Sequence, residues 1–120
     1  TVLFRRPGEV RVLAISPNGD LLAAGCGRAV TLWNLVKGEA LPLVAEHRGD
    51  VTAAVFVSNT ALLATAGMDG RIRFWDIGTG RLAADIAAGP LPLRTLALAP
   101  DQRSLATAGD DGQVRIYPLV

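Results

Sequence analysis

The feature that most constrains this chain is that it repeats itself, with a period of about 42 residues. Val10 opens the stretch VRVLAIS, Val51 opens VTAAVFV, and Leu93 opens LRTLALA, at nearly equal spacing. Trp33, Trp75 and Tyr117 close the three copies and keep the same interval. A period of this length means that each copy is one supersecondary unit, too thin to bury its apolar surface except against its neighbours. The 120 residues therefore read as a short stack of similar units, with one continuous core running between them.

The centre of each copy is a hairpin. Leu62–Asp76 reads LLATAGMDGRIRFWD, two apolar runs on either side of Met68-Asp69-Gly70, and Asp-Gly between such runs marks a tight reversal of the chain. Leu21–Asn34 (LLAAGCGRAVTLWN) and Ser104–Pro118 (SLATAGDDGQVRIYP) follow the same pattern imperfectly. Turn-forming residues follow each opening strand: Ser16-Pro17-Asn18-Gly19-Asp20, Ser58-Asn59-Thr60 and Pro100-Asp101-Gln102. The result is a cycle of four strands, near 10–16, 20–25, 29–34 and 40–45 in the first copy and 51–57, 61–67, 71–76 and 81–87 in the second. The third copy has 93–99, 103–109 and 113–118 and is one strand short, while Thr1–Arg5 (TVLFR) precedes the first copy as a fourth strand would. Helix is nearly absent, because Gly or Pro recurs every few residues and no 11-residue window holds a 3.6-residue period.

Runs such as AAVFV and TLALA are apolar at nearly every position, which implies burial on both faces. Small sheets stacked face to face meet that requirement, and radial stacking makes a propeller. The expected fold class is all-β: three four-stranded antiparallel sheets, as a partial propeller or one closed by oligomerisation. In a single segment spanning 1–120, the blades fall at about 10–45, 51–87 and 93–118, the last completed by strand 1–5.

Composition narrows the function. Twelve Lys and Arg against eleven Asp and Glu leave a formal charge of +1, spread singly, so there is no electrostatic case for nucleic acid or an anionic membrane. Cys26, the single cysteine, cannot form an internal disulfide and reads as a small buried apolar side chain. A reducing, cytoplasmic setting is compatible with it. No apolar run approaches the ~18 residues of a membrane span, and no signal peptide is expected.

The period, the Asp-Gly turn and Trp75-Asp76 make the chain resemble the WD40 repeat family of β-propellers. The second copy carries the likeness best, with His47, Val51, Phe56, Leu63-Ala64-Thr65, Asp69-Gly70 and Trp75-Asp76 in the family's order. There are departures. Glu46-His47 stands for the family's Gly-His, the first copy ends Trp33-Asn34, and the third ends Tyr117-Pro118. The His position holds Gly89 in the third copy and Arg6 in the first. The resemblance implies a structural tetrad of His47, Thr65, Asp69 and Trp75, in which Asp69 orients the His47 ring, His47 meets the Thr65 hydroxyl, and that hydroxyl accepts from the Trp75 indole. A Thr-His-Asp nucleophilic triad is the sharper reading of these residues, but no Gly-rich elbow or oxyanion donor accompanies Thr65.

Other polar sites read as structural. Asp111 matches the turn position of Asp69 and Asp110 is the exposed neighbour; no His joins them for metal or acid–base work. Gly25-Cys26-Gly27 lacks the lysine and helix of a phosphate loop. Arg71, Arg73 and Arg115 recur on the third strands and are expected in surface or inter-blade pairs. No cofactor or metal is expected.

In the resembled family, partners dock on the narrower face, built by loops entering the first strand and by the central hairpin turn. Carried over by position, that face comprises Glu9 and Arg11 in the first copy, Asp50, Thr52 and Met68 in the second, and Pro92, Arg94 and Asp110 in the third. The expected function is a non-catalytic scaffold for protein partners, as part of a larger regulatory or signalling protein. The alternatives are an enzyme or ligand binder working in the central channel, for which His47 alone is available, and a self-assembling module. Three blades leave two apolar ends, since propellers typically have ~4–8. Either further blades lie outside these residues, or two copies close a six-bladed ring by exchanging Thr1–Arg5.

Overall fold

A computed structural model describes residues 9–41, 45–57 and 61–119. Short runs of β-branched and small apolar residues between turns give twelve strands and, among the described residues, no helix. The first sheet holds β1 (Val10–Ile15), β2 (Leu21–Cys26), β3 (Ala29–Asn34) and β4 (Glu39–Ala40) in sequence order, with β5 (Ala45–Glu46) also paired to β3. The second holds β6 (Val51–Val57), β7 (Leu62–Gly67), β8 (Arg71–Asp76) and β9 (Arg81–Ala87). The third holds β10 (Leu93–Leu98), β11 (Ser104–Gly109) and β12 (Val114–Pro118). Every pairing is antiparallel.

Of the outer strand expected over 40–45, the described residues hold β4 and β5, each bonded to β3, and residues 42–44 lie outside the described residues. The third sheet has the three strands expected from 93–118; the strand Thr1–Arg5 expected to complete it and the turn Ser58-Asn59-Thr60 lie outside the described residues. Cys26 is half-buried rather than buried, because it ends β2 beside the exposed turn Gly27-Arg28.

The sheets stack in chain order. Val12, Ala23, Val30 and Leu32 of the first meet Val51, Ala54, Phe56, Leu63 and Trp75 of the second in one buried cluster. Ala64, Ala66, Ile72 and Phe74 on the opposite face of the second sheet meet Leu93, Leu96 and Leu105 of the third. Strand alternation sends Leu63 and Trp75 one way and Ala64 and Phe74 the other, and both ways lead into a core. This is why the middle copy is apolar at nearly every position. Fully burying each such Leu, Ile or Phe contributes about 1.5–3 kcal/mol.

Candidate interaction cleft and the polar network behind it

All three opening strands carry a β-bulge at the same place. Pairing of β1 with β2 jumps between Val10 and Val12, of β6 with β7 between Val51 and Ala53, and of β10 with β11 between Leu93 and Thr95. The extra residues are Arg11, Thr52 and Arg94. A bulge leaves one residue out of the ladder and re-aims its side chain, and these three are turned to the same end of the stack. There, Arg11, Thr52 and Arg94 line an open cleft of about 410 Å³ together with Val12, Asp50, Val51 and Met68.

Five of the eight residues expected on the partner face thus line one cleft, drawn from all three sheets. The other three do not line it. Glu9 pairs with Arg11, and Asp110 takes a two-pronged grip from Arg94, with Nε and Nη2 each 2.9 Å from a carboxylate oxygen. Those hydrogen bonds hold the Asp110 carboxyl below its ordinary range. Pro92 is half-buried, and its carbonyl accepts the Asp110 N–H at 3.0 Å. The Thr52 hydroxyl donates to the Leu93 carbonyl across the sheet boundary at 2.7 Å. The bulge of β10 had a signal in the sequence, its leucines (Leu93, Leu96, Leu98) being spaced three and then two, whereas in β6 Ala53 and Val55 fill the intervening positions and hide it.

Behind the cleft, His47, Thr65, Asp69 and Trp75 form one chain of hydrogen bonds. His47 Nδ1 lies 3.1 Å from both Asp69 oxygens, His47 Nε2 lies 2.7 Å from Thr65 Oγ1, and the Trp75 indole N–H donates to the same Oγ1 at 3.0 Å. One proton assignment satisfies every link: Nδ1–H donates to Asp69, and the Thr65 hydroxyl donates to Nε2. Thr65 is 0% exposed and His47 4%, so each group would otherwise be buried without a partner. Burial lowers the His47 pKa below its ordinary value and outweighs the upward pull of Asp69. Burial pushes Asp69 up, but the backbone N–H of Arg48, His47 and the N–H of Arg71 together hold its carboxyl below the usual range.

Sequence reasoning missed what the third sheet does in place of this network. Gly89 stands where the His would be, and the Arg115 guanidinium takes the Asp111 carboxylate at 2.7 Å. Arg73, the matching residue of the second sheet, instead donates to the Glu46 carbonyl of the first sheet and lies 3.5 Å from Asp85. Arg71 also pairs with Asp85, at 3.0 Å.

Thin antiparallel sheets of three to five strands, stacked face to face and each with an aromatic residue next to the end of its third strand, are the blades of a propeller. The chain belongs to the WD40 family: the family model, WD domain, G-beta repeat, matches residues 2–34, 39–76 and 88–118. Among its curated relatives, the Periodic tryptophan protein 2 homolog of Schizosaccharomyces pombe is 32% identical over 78 residues, covering 62% of this chain and 9% of that protein. Periodic tryptophan protein 2 of Arabidopsis thaliana is 32% identical over 80 residues, covering 63% and 9%. The Pre-rRNA-processing protein IPI3 of Mycosarcoma maydis is 36% identical over 73 residues, covering 59% and 12%. The matched region is thus a small part of each of these relatives. Among the described residues, no helix is long and apolar enough to cross a membrane.

Proposed function

We propose that this chain is a non-catalytic protein-interaction module of a regulatory protein, and that its partner docks in the cleft formed by the three bulges. The observation that carries this reading is the convergence of Arg11, Asp50, Thr52, Met68 and Arg94 from separate sheets on one concave surface. Residues that contribute nothing to the core are held there by a rigid scaffold, which is how interaction surfaces are built. We read the His47 network as structural: Thr65 Oγ1 is sealed in the core, and a substrate could reach it only by separating two sheets. Pre-rRNA processing, which one relative carries in its name, offers a concrete setting in which to seek the partner. The test is a pull-down of the intact protein with Asp50→Ala, Met68→Ala and Arg94→Ala together. The expected result is loss of the captured partner with an unchanged unfolding midpoint. Unchanged capture would overturn the reading.

A second reading, self-assembly, is favoured by the two ends of the stack. Ile15 is 61% exposed where its counterpart Phe56 is 7%, and Val114 is 72% exposed where Ile72 is 0%. These opposed faces match the two faces that are buried within the stack, so a second copy could continue it and close a six-bladed ring. Sedimentation of the purified chain tests this, and a monomer at every concentration would exclude it.

A further inference from the structure

The three copies offer the same slots around the cleft, filled differently. The residue before each opening strand is Glu9, Asp50 or Pro92, and the bulged residue is Arg11, Thr52 or Arg94. In the first copy the two slots neutralise each other, Glu9 with Arg11. In the third, Arg94 is gripped by Asp110 from the hairpin turn. The second copy breaks this pattern. Its bulge residue is Thr52, whose hydroxyl is taken up by the Leu93 and Ala66 carbonyls, and its hairpin turn carries Met68 where the third copy has Asp110. Asp50 therefore lines the cleft with no ion-pair partner among the described residues. Arg48, two residues away, is exposed and does not line the cleft.

The cleft thus presents two guanidinium groups that are already compensated and one carboxylate that is not. Beside that carboxylate lies the exposed apolar side chain of Met68, whose N–H donates to the Asp50 carbonyl. Building on the docking reading above, we infer that the partner delivers a cationic side chain to Asp50, with its aliphatic stem laid along Met68. Long basic side chains bury their stems on apolar surface while their heads form charge-assisted hydrogen bonds. An acidic side chain would meet guanidinium groups that each already face a carboxylate, Arg94 with Asp110 and Arg11 with Glu9, and so gains less there than a cation gains at Asp50.

The probes are three capped peptides, Gly-Ala-X-Ala-Gly, with arginine, its uncharged isostere citrulline or glutamate at X. They are titrated into the intact protein and followed through the methyl resonance of Met68, the single methionine of these residues. The arginine peptide is expected to shift that resonance, with citrulline binding at least about threefold more weakly and Asp50→Asn removing the difference. Asp50 is exposed, so this substitution leaves the fold intact. Equal binding of arginine and citrulline overturns the inference. A response to glutamate that is lost in Arg94→Ala also overturns it but leaves the cleft as a docking site. If no peptide moves Met68, both fail.

Discussion

The hairpins β7–β8 and β11–β12 share one backbone and differ in chemistry. The matching turn residues are Met68-Asp69-Gly70 and Asp110-Asp111-Gly112, and each glycine sits at φ 75°. In both, the aspartate accepts the N–H two residues on, at 3.1 Å from Arg71 and 3.0 Å from Gln113. What lies across the turn differs. In the second sheet Asp69 faces the neutral ring of a buried His47, which passes the connection through Thr65 to Trp75. In the third, Asp111 faces the Arg115 cation, and Thr107 donates instead to the Thr95 carbonyl of the adjacent strand. The aspartate belongs to the turn, and any N–H donor across from it will serve. Only an imidazole, with a nitrogen at each end, carries the link from the turn to the far end of β8.

The comparison can be broken first at the turn glycines. A Cβ on Gly70 would stand 2.1 Å from the Gly89 carbonyl oxygen, whereas one on Gly112 meets nothing within 4 Å. Gly112→Ala should therefore cost only the left-handed strain, about 1–2 kcal/mol. Gly70→Ala adds a backbone collision and should cost about 3 kcal/mol or more. Urea unfolding of both variants checks this; equal losses would mean that the two turns are not differently crowded. Next come the paired threonines. Thr65→Ala strips a partner from both His47 and Trp75 and should cost about 2–3 kcal/mol. Thr107→Ala loses one bond to a backbone carbonyl and should cost about 1 kcal/mol. If the two losses match, the His47 network contributes nothing beyond a single hydrogen bond.

Much of this was legible in the sequence, for physical reasons. The repeat and the Asp-Gly turns are local signals, and they give the all-β class and the membership of the WD40 family. The outer strand after Lys37 was legible from its apolar run, and among the described residues Glu39–Ala40, Leu41 and Ala45–Glu46 all bond to β3. Arg115 in place of a histidine could not be read, since its matching residue Arg73 reaches a different sheet altogether. Side-chain reach across a boundary depends on what the opposite copy lacks, here the ring absent at Gly89. The cleft was legible as a set of positions but not as a shape, because its shape comes from three bulges that strands apolar at nearly every position do not announce.

The smallest effect separates the two networks by pH. His47 titrates below its ordinary value of 6.5 because burial disfavours its charged form. Between those two values the unfolded chain binds more protons than the folded one, so stability is full above pH 6.5 and falls as the pH drops below it. The third network has no such group. The Asp111 carboxyl is held below its ordinary 3.8 by Arg115, so the stability it contributes persists above pH 3.8 and is lost only below that. Asp69 behaves the same way and adds its own loss in that lower range. Urea unfolding at pH 7.5 and 5.5 should thus show lower stability at the acidic point in the natural chain. His47→Gln, though less stable at pH 7.5, should lose little more on going to pH 5.5, while Arg115→Gln should keep the natural chain's dependence. If His47→Gln retains the full pH dependence, the titrating group is not the ring at the centre of the second network, and the distinction drawn between the hairpins fails at its chemical root.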